Sequence, residues 1–320
     1  VYLHMYRGLI YGSHRKPREL IWILGMLIFF CLMAEAFFGY LLPWGQMSFW
    51  GAQVIVNLFS AIPLIGPDFS LWLRGDFVVG DATLNRFFAF HVIVVPLVLL
   101  ALVGAHILAL HEVGSNNPDG IEIKKKKDAN GIPLDGVPFH PYFTVKDIVG
   151  CVVFLMVFSL VIFFSPEGGG YFLEYNNFFP ANPLMTPPHI APVWYFTPFY
   201  SLLRAVTYPL FGIDAKFWGV VAMGGGVAIL VILPWLDRSP VKSIRYRGPI
   251  FKTLLTIFVI SFFILGFLGT KPPSYAFFGM IPGAPVAQIL SAYYFLFFLT
   301  MPIWSRIDKC KPEPERVTGK

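Results

Sequence analysis

The chain has 320 residues, of which 56% are hydrophobic and only 13% are charged. Soluble proteins carry about 25% charged residues, so this composition excludes a soluble globular protein, and also a disordered, collagen-like or disulfide-rich one. The formal net charge of +6 is therefore first a signal of membrane topology. The three cysteines, Cys31, Cys151 and Cys310, lie far apart. Neither a disulfide framework nor a c-type heme attachment is expected from them.

Six segments are apolar enough to cross a bilayer, which takes about 20 residues of helix. They cover residues 20–42, 87–110, 148–164, 218–236, 251–268 and 285–303. Residues 1–10 resemble the tail of an earlier span. Because the chain opens at Val1, inside an apolar phrase and without an initiator methionine, we expect a piece that has lost its N-terminus. The predicted fold is an all-α polytopic transmembrane bundle.

Two further apolar segments are not expected to cross. Residues 48–73 are interrupted by Pro63, Gly66 and Pro67, which predicts short amphipathic helices at the membrane surface. Residues 166–215 are rich in proline and aromatic residues. A loop of this length is usually functional or disordered, and its aromatic content favours a packed, functional loop.

The basic residues divide unevenly between the two sets of loops. Nineteen lysines and arginines fall in one set, which includes residues 124–127 and the C-terminal tail, and five fall in the other. The positive-inside rule places the first set, with the C-terminus, in the cytoplasm. The four lysines at 124–127 are then a solvated topology anchor, and no nucleic-acid partner is expected.

Histidines inside the spans are the first candidates for chemistry. His91 and His106 lie 15 residues apart on one span, which is about 22 Å along a helix and about 60° around it. Neutral imidazole is a common ligand of iron. A lone histidine more often hydrogen-bonds to a neighbouring helix, but two on one face, with a third at His4, favour ligation.

Two glycines and an arginine fit the same interpretation. Gly25 and Gly39 lie 14 residues apart on the preceding span, where a missing side chain would let a flat macrocycle approach the backbone. Ordinary packing of small residues between helices explains them equally well. Arg7 follows His4 by three residues on the same helix face, and its charge suits a heme propionate.

Six sequence strings carry a resemblance over essentially the whole chain. They are H-x-x-R-G-L-I-Y-G-S at 4–13, G-Y-L-L-P-W-G-Q-M-S-F-W-G-A at 39–52, R-F-F-A-F-H at 86–91, H-E-V-G-S-N-N-P at 111–118, F-H-P-Y-F-T-V-K-D at 139–147 and T-P-P-H-I-A-P-V-W-Y at 186–195. The chain resembles cytochrome b of the respiratory cytochrome bc complexes (complex III), in its proteobacterial form. The resemblance implies the end of helix B through helix H of that fold. Residues 1–125 would complete the heme-binding bundle, and residues 126–320 would form the C-terminal domain.

The resemblance implies two stacked b hemes, each held by two histidines. His4 and His106 would ligate the heme near the cytoplasm, and His91 the heme near the periplasm. The fourth ligand would lie before the start of this chain. The 15-residue histidine spacing departs from the 14 residues of many respiratory members. We expect a kink or π-bulge before Pro96 to absorb the additional residue.

The resemblance also implies a quinol-oxidising site at the outer face. The matching residues are Tyr40, Met47, Gly51, Pro192 and Tyr195.

A quinone-reducing site at the inner face is implied as well, formed by His111, Ser115, Lys146 and Asp147. A histidine and a carboxylate can donate a hydrogen bond to a quinone carbonyl and then supply a proton. Asp147 is alternatively a simple helix-start charge, with Thr144 as a possible cap.

One position departs from the family pattern. Many relatives have glutamate in the P-x-W-Y string, where this chain has Val193. Glu35, an acid inside a span and one turn from Gly39, is our candidate proton acceptor or relay for the outer site. A buried acid kept neutral by desolvation is the alternative. The remaining histidines are expected to be structural or solvated: His140 and His189 structural, His14 solvated.

The implied activity is that of the diheme subunit of quinol–cytochrome c reductase. Electrons would pass from quinol outside, through two b hemes, to quinone inside, coupled to proton translocation, with ubiquinone as the expected quinone. The implied partners are a Rieske iron–sulfur subunit, a c-type cytochrome, a second copy of the complex and the lipid bilayer of a bacterial inner membrane.

Two other classes remain open on the residues alone. A heme-free transporter can also carry intramembrane histidine, glutamate and broken helices. A diheme membrane anchor could pass electrons to a soluble dehydrogenase. Neither needs both the P-W-G-Q and the P-V-W-Y strings in one chain.

Overall fold

The computed structural model describes residues 1–168 and 173–317. Its α-helices are α1 Tyr2–Tyr11, α2 Glu19–Leu41, α3 Gln46–Phe59, α4 Gly66–Arg74, α5 Asp81–Ala89, α6 Val95–Val113, α7 Tyr142–Phe164, α8 Thr197–Ala205, α9 Ala215–Val231, α10 Leu233–Leu236, α11 Pro249–Gly269, α12 Gly283–Leu299 and α13 Met301–Ile307. Two short antiparallel strands, β1 Ala276–Phe277 and β2 Ile281–Pro282, form a hairpin. The all-α membrane bundle is confirmed.

Four of the six predicted spans are single long apolar helices. They are α2, the continuous helix Asp81–Val113 that joins α5 to α6, α7 and α11. The other two predicted spans, residues 218–236 and 285–303, are interrupted: the first contains a shorter apolar helix and the second a bent pair of helices. Pro234 follows the end of α9 at Val231, and α12 and α13 meet at a bend of 63° just before Pro302. Proline lacks an N–H and collides with the preceding turn, which ends or bends a helix.

The junction of α5 and α6 is a π-helical turn, Phe90–Val94. It contains His91 and lies immediately before Pro96. Pro96 has no N–H to donate to the carbonyl four residues back. The hydrogen bonds of this turn instead join residues five apart, as from the Val95 N–H to the Phe90 carbonyl, which is the π-helical pattern. The prediction of a kink or π-bulge before Pro96 is confirmed.

Residues 48–73 and the described part of residues 166–215 contain no candidate membrane span, as the sequence predicts. Residues 48–73 contain α3 and the short α4, which pack on a small apolar cluster that includes Val56, Leu73 and Phe87. The described part of 166–215 contains α8, whose side chains Phe199 and Leu202 are buried against α9 and α11. Aromatic residues on either side of α8, such as Tyr175, Trp194 and Phe211, are exposed, so within the described residues the prediction of a packed loop holds only for α8.

The main core and the isolated helix α7 contrast in burial. The core lies between α2, α8, α9, α11 and α12. None of the residues of α7 is buried. In a bilayer, apolar side chains on the outside of a bundle need no protein cover.

The division of the chain into two domains, residues 1–125 and 126–320, stays a prediction.

The loops that the basic residues assign to one side meet one another. At one end, Arg18 and Lys242 both bind Glu122, at 2.6 and 2.5 Å. At the other end, the Asn177 carboxamide oxygen accepts hydrogen bonds from the Ser48 amide and hydroxyl, at 2.8 and 3.1 Å. The partition of the loops into two sets therefore matches the structure. We call the two ends the inner end and the outer end.

Candidate functional site

His4 on α1 and His106 on α6 face each other near the inner end. Their ring centroids are 6.5 Å apart and their planes are inclined by 68°. Two imidazoles on opposite sides of one metal, at a metal–nitrogen distance of about 2 Å, would have centroids about 6 Å apart. A Cβ added to Gly25 on α2 would lie 3.3 Å from His106 Cε1. The missing side chain at Gly25 therefore leaves room for the imidazole ring of His106.

His91 occupies the corresponding position near the outer end. A Cβ at Gly39 would overlap its Cε1 atom, so only glycine fits there. The His91 Nδ1 atom lies 3.0 Å from the Glu35 carbonyl oxygen and 3.0 Å from Glu35 Oε1. These contacts leave Nε2 as the ring nitrogen available to a ligand.

The donor set at both sites fits heme. Among the described residues, no group of three His, Cys, Asp or Glu side chains is placed to hold a bare metal ion. A macrocycle brings its own equatorial nitrogens and needs only axial ligands, which one or two histidines supply. Arg7 lies beside the inner pair, with its guanidinium over the Tyr11 ring at 5.5 Å, and is available to a propionate.

A large apolar cavity of about 660 Å³ opens beside the outer histidine. Its walls come from α2, α3, α4, the α5–α6 helix, α8, α9 and the loop before α8. Two predicted quinol-site residues, Gly51 and Pro192, line it, as does Phe90, the neighbour of His91. A site of this volume and apolar character suits a hydrophobic ring compound. The sequence analysis missed the part of the wall that α8 and α9 supply, including Phe199, Tyr200, Met223 and Val227.

The other three predicted outer residues lie around the cavity rather than on its wall. Tyr40 is adjacent to Gly51, 3.9 Å from the position of a Cβ there, and lies within electrostatic reach of Tyr195. The Tyr195 carbonyl accepts a hydrogen bond from the Tyr2 hydroxyl at 2.5 Å. Met47 is buried in α3.

Glu35 points away from the cavity. Its neighbours Ala34, Phe37 and Phe38 line the wall, whereas its own carboxyl contacts His91. Its role as proton acceptor for the outer site stays a prediction.

The predicted inner quinone residues lie on two elements. His111 is in the last turn of α6, Ser115 follows that helix, and Lys146 and Asp147 lie on the exposed helix α7. No hydrogen bond or ion pair joins the two pairs within residues 1–168 and 173–317, so this site also stays a prediction. The helix begins at Tyr142, so Thr144 lies inside its first turn and is not a cap.

A buried charge cluster at the inner end corrects one prediction. His14 is fully buried rather than solvated, with Nε2 3.2 Å from Asp237 Oδ2. Arg247 donates two hydrogen bonds to the same carboxylate, at 3.1 and 2.5 Å. Burial alone would raise the pKa of Asp237, but Arg247 and His14 outweigh it and hold that pKa well below its usual range. His14 and Asp237 are 223 residues apart, so the sequence gives no sign of this pairing.

Comparison with known proteins decides the family. The family model described as "Cytochrome b(N-terminal)/b6/petB" matches residues 1–171, and "Cytochrome b(C-terminal)/b6/petD" matches residues 180–295. The chain belongs to the cytochrome b family. It is 61% identical to cytochrome b of Allochromatium vinosum, over 100% of this chain and 76% of that protein. Cytochrome b of Rhodospirillum rubrum is 48% identical, over 100% of this chain and 73% of the relative.

A solved cytochrome b-like chain supports the same assignment. A chain of a structure titled "Hyperthermophilic respiratory Complex III" superposes with a TM-score of 0.80 at 42% identity, covering 95% of this chain and 74% of that one. Cytochrome b is an integral membrane, heme-binding subunit of the quinol–cytochrome c oxidoreductase of complex III, and this chain functions in its electron transfer. The transporter and membrane-anchor alternatives are thereby excluded.

Proposed function

We propose that this cytochrome b takes electrons from a quinol in the outer cavity and passes them through two b hemes to a quinone at the inner end. One observation carries the proposal. The two histidine–glycine sites lie at opposite ends of the same pair of helices, α2 and α5–α6, and the apolar cavity adjoins only the outer site.

The histidines would hold the two hemes. His4 and His106 would hold the inner heme, with Arg7 neutralising a propionate. His91 would hold the outer heme. When bound, each heme supplies a one-electron carrier whose potential depends on its axial ligands and their hydrogen bonds.

The outer cavity would bind and dehydrate the quinol, ubiquinol being the expected form. Its aromatic and aliphatic walls exclude water, while Gly51 leaves room for the ring. Val193 carries no acidic group, so the proton must leave through another group. Tyr40 and Tyr195 would border the bound ring, and Met47 would support α3 from behind.

The inner quinone site would use the residues that the family pattern assigns. His111 would donate a hydrogen bond to the quinone carbonyl, with Ser115 beside it. Lys146 and Asp147 would relay protons from the cytoplasm. Proton uptake here and release outside would make the reaction electrogenic.

The assembly would follow the family. A Rieske iron–sulfur subunit would accept the second quinol electron and pass it to a c-type cytochrome, and the complex would be a homodimer. The basic inner loops support insertion in a bacterial inner membrane with the C-terminus in the cytoplasm.

Filling the outer cavity tests the proposal. In the full-length complex, Gly51→Leu places a side chain in the cavity, so we expect quinol to reduce the hemes at least tenfold more slowly. Dithionite, a chemical reductant, should still reduce both hemes fully. The matched control is Gly150→Leu, a helical glycine on α7 with open space around it, which should leave the rate unchanged. An unaltered rate in Gly51→Leu would contradict quinol binding in this cavity.

A further inference from the structure

Glu35 is an ionisable residue in the middle of a span. Such residues are rare, and they pair with a specific partner when they occur. The partner here is His91, whose Nδ1 atom lies 3.0 Å from Glu35 Oε1. The second carboxyl oxygen, Oε2, is buried and has no hydrogen-bond partner among the described residues. The acid is thus held against this histidine and nothing else in the described chain.

The inner site provides an internal comparison on the same helix. Glu35 precedes Gly39 by four residues, and Ile21 precedes Gly25 by four residues. The Ile21 backbone makes a hydrogen bond to His106, as the Glu35 carbonyl does to His91. Within the described residues, a carboxyl group pairs with His91 and none pairs with His106. The two sites therefore repeat in backbone and glycine, and they differ in the carboxyl group that only the outer histidine meets.

A carboxyl group at this place changes the ligand strength of the imidazole. A ligating histidine usually donates its second ring N–H to a carboxylate or a carbonyl, which fixes the ring and makes the ligand more basic. A more basic ligand donates more electron density to the metal, which favours the oxidised iron. Both histidines have a backbone partner, and only His91 Nδ1 also lies 3.0 Å from a carboxyl oxygen.

We propose that Glu35 is a positioning residue for the outer heme ligand: its carboxyl group shares the His91 Nδ1–H with the Glu35 backbone carbonyl, helps to hold the imidazole plane and lowers the potential of the outer heme. The inference rests on the proposed function, because it needs His91 to be a heme ligand. It explains an intramembrane acid without assigning it to the wall of the cavity. It also gives the two hemes different potentials from a single difference between equivalent positions.

A redox titration of both hemes in the full-length complex tests this role. Glu35→Gln keeps the size of the side chain but offers a weaker acceptor, and Glu35→Leu leaves only the backbone carbonyl of residue 35 as acceptor. At a fixed ambient potential we expect the reduced-to-oxidised ratio of the outer heme to rise about tenfold in Glu35→Leu, which is about 59 mV for one electron. The rise should be smaller in Glu35→Gln. The inner heme should stay unchanged in both.

Two control variants separate this effect from a change of charge or packing. Glu19→Gln makes the same chemical change at the start of the same helix and should shift neither heme. Ile21→Glu, the reciprocal change, should lower the potential of the inner heme. The low-spin ferric EPR signal of the outer heme should also move in the Glu35 variants, because one of the two oxygens beside His91 Nδ1 is removed or weakened.

The possible failures are distinguishable. If both hemes are present and Glu35→Gln and Glu35→Leu leave the outer potential and EPR signal unchanged, the inference is overturned and the two-heme function stands. If Glu35→Leu does not assemble, the isosteric Glu35→Gln decides. A parent complex without two b-type heme signals would overturn the proposed function and this inference together.

Discussion

The two ends of the bundle share a repeated glycine–histidine contact, but different kinds of contact join the loops at each end. At each end, a glycine of α2 receives a histidine ring of the neighbouring helix. At the outer end an apolar cavity adjoins this site, and neutral hydrogen bonds such as that from Ser48 to Asn177 join the loops. At the inner end, the largely buried Arg18–Glu122 ion pair and the buried His14–Asp237 contact join the loops. The repeated glycines accommodate a histidine ring at each end, whereas the surroundings differ: an apolar cavity lies at the outer end and charged contacts join the loops at the inner end.

The largest effect on stability should come from disrupting the buried charge cluster around Asp237 at the inner end. Asp237→Asn leaves the fully buried Arg247 and His14 without their carboxylate, which typically costs about 3–5 kcal/mol. Because the pKa of Asp237 in the folded protein lies below the usual 3.8, its stabilisation is present above about pH 4 and is lost as the pH falls further. We therefore expect thermal unfolding of the detergent-solubilised complex at a much lower temperature in Asp237→Asn at pH 7. The difference from the parent should shrink towards pH 3.

An exposed ion pair provides the control for this prediction. Glu315 lies 3.1 Å from Lys126, with 90% of its side chain exposed, and Glu315→Gln should leave the unfolding temperature unchanged. Equal unfolding temperatures of Asp237→Asn and the parent at pH 7 would show that the charge cluster does not hold the inner loops.

A smaller effect should distinguish the two glycines. Gly39→Ala places a methyl group where the His91 ring lies, so something must shift, whereas at Gly25 the gap is 3.3 Å and a small adjustment suffices. Overpacking of this kind costs about 1–3 kcal/mol. We expect Gly39→Ala to lower the content of the outer heme and Gly25→Ala to leave the inner heme nearly complete, as measured by heme-to-protein ratio. Equal loss in both variants would mean that the two sites are equally tight.

The sequence predicts the features that depend on local pattern. Hydropathy locates the spans, and Pro96 with the altered histidine spacing predicts the π-helical turn that the structure contains. The loop sets follow from the basic residues. These are properties of composition and periodicity within a short stretch of chain.

The breaks at Pro234 and Pro302 are marked in the sequence by the prolines themselves, although the average hydropathy of each apolar run does not register them. Features that depend on long-range packing, by contrast, could not be predicted. The burial of His14 depends on Asp237, a partner far along the chain. Glu35 was recognised as an unusual acid, but only the structure shows that its carboxyl faces His91 rather than the cavity.

The central claim is that one chain holds two b hemes through distinct histidines, and a potentiometric visible spectrum tests it most directly. The full-length complex should show two b-type components with different potentials. His106→Leu should remove only the inner component, and His91→Leu should remove only the outer, lower-potential component. Loss of both components in each variant, or of neither, would contradict the assignment of separate heme sites to His106 and His91.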